Sequence, residues 1–137
     1  MSPNQKHNDI DFEIGFYENV LKGSPDFIEA MMALADLYTK KGLHREGLHL
    51  DERLSRLRPG NSVIFYNLAC SYSLLNNSYA ALNAVKKAIE LGYDDFEHLY
   101  NDQDLANLLA DPEFQQYLKD AQKKRRPSKA ARQKKEE

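Results

Sequence analysis

The stretch MMALADLY at residues 31–38 decides the fold, because it returns as FYNLACSY at residues 65–72. A bulky residue, a leucine, an alanine and a tyrosine recur in register between the two stretches. The same offset pairs Leu48 with Leu82. A fixed period of about 34 residues is the sequence signature of a helical repeat array.

Each repeat unit reads as two helices. One apolar face has the spacing i, i+3, i+4 and i+7 of an α-helix, with Met31, Leu34, Ala35 and Tyr38. Gly42 is predicted to end this helix, and a second amphipathic helix is predicted over residues 44–57. The second unit repeats the plan, with helices predicted over residues 61–75 and 78–91.

Small residues recur where the two helices of a unit would cross. Ala35 and Gly47 occupy these places in the first unit, and Ala69 and Ala81 occupy them in the second. A larger side chain at a crossing would hold the helix axes apart beyond the usual spacing of about 8–10 Å. The matching positions therefore favour two stacked helical pairs.

This pattern resembles the tetratricopeptide repeat (TPR) family, and most closely a small bacterial-type TPR protein with a C-terminal capping segment. The resemblance covers roughly residues 9–120 and departs from the family at Asp51, where the second helix normally carries a large apolar group. It implies an all-α fold, an α-solenoid of antiparallel helix pairs with about six or seven helices.

The domain organisation follows from the repeat. We expect a flexible N-terminus at residues 1–8 and a TPR-like domain at residues 9–122. The domain divides into a half repeat at 9–27, full repeats at 28–61 and 62–95, and a capping segment at 96–122. Asp111 and Pro112 are predicted to start its last helix as N-cap and first helical residue.

Charge is distributed unevenly along the 137 residues, whose net charge is −2. Residues 123–137 hold eight basic and two acidic groups, so this segment carries +6 and the remainder carries −8. We predict a disordered basic tail here, because it has no apolar face and no aromatic residue that could pack. Its candidate nucleic-acid contacts are Lys123, Lys124, Arg125 and Arg126.

Several classes of protein do not fit the sequence. Cys70 is the only cysteine, so no intrachain disulfide can form. The polar start at residues 1–9 argues against a signal peptide, and no apolar run is long enough to span a membrane. No catalytic, metal or cofactor constellation is recognisable, which predicts a non-enzymatic cytoplasmic protein without a cofactor.

The resemblance also implies a binding surface, because first helices of successive TPR units line a concave groove. The matching groove residues are Glu29, Met32, Asp36, Lys40, Val63, Tyr66, Asn67, Cys70 and Leu74. Asn67 matches a family position that often hydrogen-bonds a ligand backbone. The family's clamp for a C-terminal carboxylate is missing, since Met32 and Asp36 stand in its place, and the acidic groups favour a neutral or basic ligand.

Two functional hypotheses follow. The first is a protein-interaction adaptor or scaffold that binds a protein or peptide partner in the groove. The alternative is an RNA- or ribosome-associated accessory protein that uses the basic tail. Two full repeats are close to the lower limit of a stable array, so a homodimer through an end helix is a further prediction.

Overall fold

The structure is a computed structural model that describes residues 3–124, with side chains described from residue 9. Its elements, in order, are α1 (Pro3–Gly23), α2 (Ile28–Lys41), α3 (His44–Leu57), α4 (Ser62–Leu74), α5 (Ser78–Glu90), α6 (Phe96–Asn101), a 3₁₀ turn (Gln103–Leu105), α7 (Ala106–Leu109) and α8 (Pro112–Lys124). Residues 3–124 contain helices and no strand, and the predicted all-α fold is confirmed.

Helices α2 to α5 form two pairs that follow the repeat. The offset from the start of α2 to the start of α4 equals the offset from the start of α3 to the start of α5, and both match the offset between the two repeated stretches of sequence. Short connections make consecutive helices antiparallel neighbours, and each helix packs against the next. The period of the sequence is thus the period of the structure.

The helix ends lie where turn residues predict them. Gly42 ends α2 with φ of +86°, a left-handed conformation that an L side chain rarely adopts. Asn61 caps α4, because its side-chain oxygen accepts hydrogen bonds from the backbone N–H groups of Val63 and Ile64. The side chain of Asn77 caps α5 in the same way.

The predicted helix crossings are close. A Cβ atom on Gly47 would lie 3.2 Å from Thr39 Oγ1 and 3.5 Å from the backbone oxygen of Ala35. Ala69 and Ala81, the corresponding residues of the second pair, are completely buried. Small residues at these places let the two helices of each pair approach.

Helix α1 packs on α2 through its apolar stripe, in which Ile14 is buried against Leu34 and Leu37. This helix begins at Pro3 and so includes residues 3–8, the segment for which the sequence predicts a flexible N-terminus. Proline suits the first position of a helix, because its missing N–H has no helical partner there. The outward face of α1 leaves Phe12 and Phe16 exposed.

The C-terminal segment packs on the second helical pair. Phe114 and Leu118 of α8 join Leu105 and Leu108 in one buried cluster with residues of α4 and α5. α8 begins at Pro112, and Asp111 caps it by accepting a hydrogen bond of 2.9 Å from the Glu113 N–H, as predicted.

The described residues hold eight α-helices and the 3₁₀ turn, more than the six or seven helices predicted. Residues 96–111 divide into two short helices and the turn, because caps at Asp95 and Asp102 each start a new element. α8 includes Lys123 and Lys124, where the basic tail was predicted to begin, whereas Arg125 and Arg126 lie outside the described residues. None of the helices within residues 3–124 combines the length and apolar character needed to cross a membrane.

Candidate functional site

A cavity of about 280 Å³ opens between the first helices of the two pairs and the C-terminal segment. Its lining residues come from α2, α3, α4, α6 and the 3₁₀ region: Met32, Ala35, Asp36, Thr39, Asp51, Tyr66, Asn67, Cys70, Ser71, His98, Asp102 and Asp104. Five of the nine predicted groove residues therefore meet in one place, namely Met32, Asp36, Tyr66, Asn67 and Cys70. We call this cavity, defined by these lining residues, the central pocket.

Two of these five residues are less open than the resemblance implies. Tyr66 and Cys70 are buried, because the 3₁₀ turn of the C-terminal segment packs on α4. The Tyr66 hydroxyl donates a hydrogen bond of 2.5 Å to Asp102 Oδ2, and its ring stacks on Tyr93 at a centroid distance of 4.3 Å. Tyr66 and Cys70 therefore form a fixed wall of the central pocket and not a free contact surface.

Asn67 and Met32 remain open on the same face. Asn67 is exposed and Met32 is half-buried, and both line the central pocket. Met32 also packs against the cluster of Met31, Leu54 and Ile64 that joins the first pair to the second. A ligand that enters the pocket can therefore contact an amide and a thioether side chain.

The other four predicted groove residues lie outside the lining of the central pocket. Glu29, Lys40 and Val63 are exposed, and Leu74 is half-buried. Lys40 forms an ion pair of 2.9 Å with Asp36 Oδ2 one turn earlier on α2.

Asp51 is a buried charge inside the central pocket. Only 4% of its surface is exposed, and its Oδ2 accepts a hydrogen bond of 2.5 Å from Ser71 Oγ. Burial raises the pKa of the Asp51 carboxyl to about 6; the Ser71 hydrogen bond opposes this rise and the charge of Asp36 adds to it. The corresponding residue of the next unit, Val85, is apolar and completely buried.

Asp102 and Asp104 add two further carboxylates. Asp102 Oδ2 contacts Tyr66, lies 3.6 Å from Cys70 Sγ and lies 3.5 Å from His98 Nε2. Burial raises the pKa of the Asp104 carboxyl, and the charge of Asp102 raises it further. These groups, with Asp36 and Asp51, give the pocket a strongly acidic lining.

Seven pocket residues are not in the predicted groove set, and four of these seven are ionisable: Asp51, His98, Asp102 and Asp104. Asp51 carried a signal, since it breaks the apolar pattern of its helix at a position equivalent to Val85. The other three belong to the C-terminal segment, far beyond Cys70 in the chain. Periodicity within the repeats says nothing about how that segment folds back.

Cys70, Asp102 and Asp104 place potential metal-ligand atoms within 4.8 Å of one another. Burial and the neighbouring carboxylates raise the pKa of the Cys70 thiol well above its ordinary value. Both metal binding and nucleophilic attack need the thiolate, which this environment disfavours. The chemistry of this trio therefore fits a structural role better than a metal site or a catalytic nucleophile.

The fold of the chain is similar to that of a solved structure. The chain is similar to the crystal structure of MamA, a TPR-type α-solenoid, with a TM-score of 0.59 and 24% identity over 67% of this chain and 56% of that chain. The fold is therefore a TPR-type α-solenoid.

A relative in sequence is a chloroplastic protein from Arabidopsis thaliana. The two are 36% identical over 85 residues, which cover 60% of this chain and 25% of that protein. The chain thus matches about a quarter of the length of this relative. No protein-family model matches the chain.

Proposed function

We propose that this protein is an interaction module that binds a segment of a partner protein in the groove around the central pocket. The observation that supports this function is the pocket itself. It opens between α2 and α4, the first helices of the two units, and this is the surface that the resemblance predicts for ligand binding. Asn67 is exposed there and makes no side-chain hydrogen bond among the described residues, so it is free to bind a ligand backbone.

The small volume and rigid wall of the pocket favour a side chain that protrudes from a partner segment over a small metabolite. Its volume of about 280 Å³ is slightly below that of small-molecule sites, which span roughly 300–1,000 Å³. One wall is rigid, since Tyr66 is fixed by both Asp102 and Tyr93. A preformed wall lowers the conformational entropy that the protein loses when a partner segment binds.

The alternative, an RNA-associated role, depends on the basic residues at the end of the chain. Lys123 and Lys124 are exposed at the end of α8, but Arg125 and Arg126 lie outside the described residues. The cytoplasmic location also stays a prediction, because the relative from Arabidopsis thaliana is a chloroplastic protein.

Affinity capture from a nuclease-treated native extract tests the proposal when three full-length baits are compared. These are the unchanged protein, Asn67→Trp and Asn83→Trp. Asn83 is exposed on α5 and lies outside the lining of the central pocket, so it is a matched control. We expect a protein that Asn83→Trp captures as well as the unchanged bait but that Asn67→Trp captures about tenfold less, a loss of roughly 1.4 kcal/mol.

Two results would contradict the proposal. Equal capture by all three baits would show that the groove is not the binding surface. Capture that is seen in untreated extract but is lost after nuclease treatment would favour the RNA-associated alternative, because it would depend on nucleic acid.

A further inference from the structure

The lining of the central pocket is unbalanced in charge. Four carboxylates face the pocket, those of Asp36, Asp51, Asp102 and Asp104, whereas none of its lining residues is a lysine or an arginine. The basic groups close to these acids are imidazoles and one exposed lysine: His98 near Asp102, His44 near Asp104, and Lys40 on Asp36. The pocket therefore attracts cations.

Asp51 is the acid whose burial is least compensated. Its carboxylate accepts one hydrogen bond, from the neutral hydroxyl of Ser71, and no cation pairs with it among residues 9–124. Buried carboxylates in proteins are normally paired with a cation, because desolvating a lone charge is costly. An acidic side chain that is only 4% exposed, has no cationic partner and borders a cavity is suited to bind a positive group.

The positions of the acids favour an extended cation over a metal ion. The compact trio consists of Cys70, Asp102 and Asp104; Asp51 is not part of it. Asp102 Oδ2 is already engaged by the Tyr66 hydroxyl, and Cys70 is held as a thiol. A guanidinium group carries five N–H donors in a planar fork, so it can reach acceptors on several sides of a cavity.

We propose that the central pocket accepts a basic side chain, preferably arginine, that a partner segment inserts between Asp51, Asp36 and Asp104. The apolar stem of that side chain would lie along Met32 and the ring of Tyr66, which line the same cavity. This proposal deepens the proposed function, and it rests on that function for the source of the arginine. It adds a preference for partner segments that carry a basic side chain.

The test uses a small probe, so that it does not depend on knowing the partner. Backbone amide NMR spectra of the full-length protein are recorded with increasing Nα-acetyl-arginine methylamide and, at matched ionic strength, with the neutral citrulline analogue. We expect the arginine probe to shift the amides of Asn67, Cys70 and Asp104, and the citrulline probe to leave them in place.

Variants make the test specific to the pocket. Asp51→Asn keeps the shape and an oxygen that can accept from Ser71 but removes the charge, so we expect about tenfold weaker binding of the arginine probe. Asp36→Asn, at an exposed position where folding is not in question, is expected to weaken binding in the same direction. The exposed Asp94→Asn carries the same charge change outside the pocket and is expected to bind as the unchanged protein does.

Three results would overturn the proposal. The first is an absent response, or an equal response to arginine and citrulline. The second is a response of the same amides to Zn²⁺ or Mg²⁺ but not to the arginine probe, which would assign a metal site. The third is a response that appears only after Arg125→Gln and Arg126→Gln are introduced into the full-length chain, which would assign the cation to this chain's own tail.

The two proposals fail separately. If the arginine probe binds but Asn67→Trp leaves partner capture unchanged, the pocket binds a cation without serving as the partner groove. If capture depends on Asn67 but the probe does not bind, the groove function stands and the preference for a basic side chain is wrong.

Discussion

Asp51 places a carboxylate in α3 where the equivalent residue of the next unit, Val85, places an apolar group in the core. An apolar residue here would contribute burial energy, whereas the carboxylate loses hydration for one hydrogen bond to Ser71. Residues that lower stability in this way concentrate at functional sites. The loss of stability at Asp51 is therefore the clearest indication that the pocket is a functional site.

The raised pKa of Asp51 gives a pH-dependent prediction. The pKa of this carboxyl is about 6 in the folded chain and 3.8, its ordinary value, in the unfolded chain, so the folded state binds its proton more tightly. Proton binding to Asp51 therefore stabilises the folded state by roughly 3 kcal/mol when the pH is below the pKa of the unfolded chain. This stabilisation is lost as the pH rises through the pKa of the folded chain. We therefore expect Asp51→Asn to raise the free energy of unfolding at pH 7.5, and to raise it much less at pH 4.5, measured by urea denaturation.

The control for this prediction is Asp94→Asn, which removes a charge from an exposed position. It should change the free energy of unfolding by less than about 0.5 kcal/mol at either pH. A loss of stability in Asp51→Asn at pH 7.5, or an equal gain at both pH values, would contradict the assignment of a raised pKa to this carboxyl.

At the scale of single elements, the ends of helices set the geometry of the repeat. Gly42 turns the chain from α2 into α3 with φ of +86°, and no atom lies within 4 Å of the place where a Cβ would stand. If alanine at this position lowers the free energy of unfolding, the cause is therefore its backbone conformation and not a steric clash.

Two glycine substitutions separate these effects. We expect Gly42→Ala to lower the free energy of unfolding by about 1 kcal/mol, because an L residue disfavours the left-handed conformation. Gly15→Ala, at an exposed position inside α1 with open space around it, should instead raise it by about 0.5–1 kcal/mol. Urea denaturation of both variants gives the comparison, and an unchanged or raised free energy of unfolding in Gly42→Ala would show that the turn does not constrain the fold.

The helices of the two units could be predicted from the sequence because their information is local. The repeat offset, the spacing of Met31 to Tyr38, and the turn residues Gly42 and Asn61 predict α2 to α5 closely at each end. Asp111 and Pro112 do the same for the start of α8.

The pocket residues of the C-terminal segment, His98, Asp102 and Asp104, could not be predicted, because their positions depend on long-range packing. The hydrogen bond from Tyr66 to Asp102 joins residues that are 36 positions apart, and no periodic signal relates them. It forms because Leu105 and Leu108 pack into the core against α4, which brings Asp102 and Asp104 over the pocket. The sequence therefore predicts the part of the groove that α2 and α4 form, but it does not predict the acidic wall that Asp102 and Asp104 add.

At the scale of the whole molecule, the two ends of the array differ. The C-terminal segment buries Phe114 completely in the core of the second unit, whereas α1 leaves Phe16 about half exposed. In a solenoid each unit contacts only its neighbours, so an end needs a covering element to hide its apolar face. The segment from α6 to α8 fulfils this role and also completes the pocket.

A pair of phenylalanine substitutions tests that role. We expect Phe114→Ala to destabilise the protein by about 3–5 kcal/mol, because it removes a fully buried ring and leaves a cavity. Phe16→Ala should cost less than about 1 kcal/mol, since its ring is already in contact with solvent. Thermal and urea unfolding followed by circular dichroism measure both, and similar losses would show that α8 is not part of the cooperative core.

The central claim is that a partner protein lies in the groove, and site-specific photo-crosslinking tests it most directly. p-Benzoylphenylalanine is placed at Asn67 in the groove or at Asn83 on α5, both exposed, and full-length protein is irradiated in nuclease-treated extract. Adducts of defined mass should form from position 67 and be absent from position 83. Equal adducts from both positions, or adducts from position 83 alone, would contradict the claim that the groove is where this protein binds its partner.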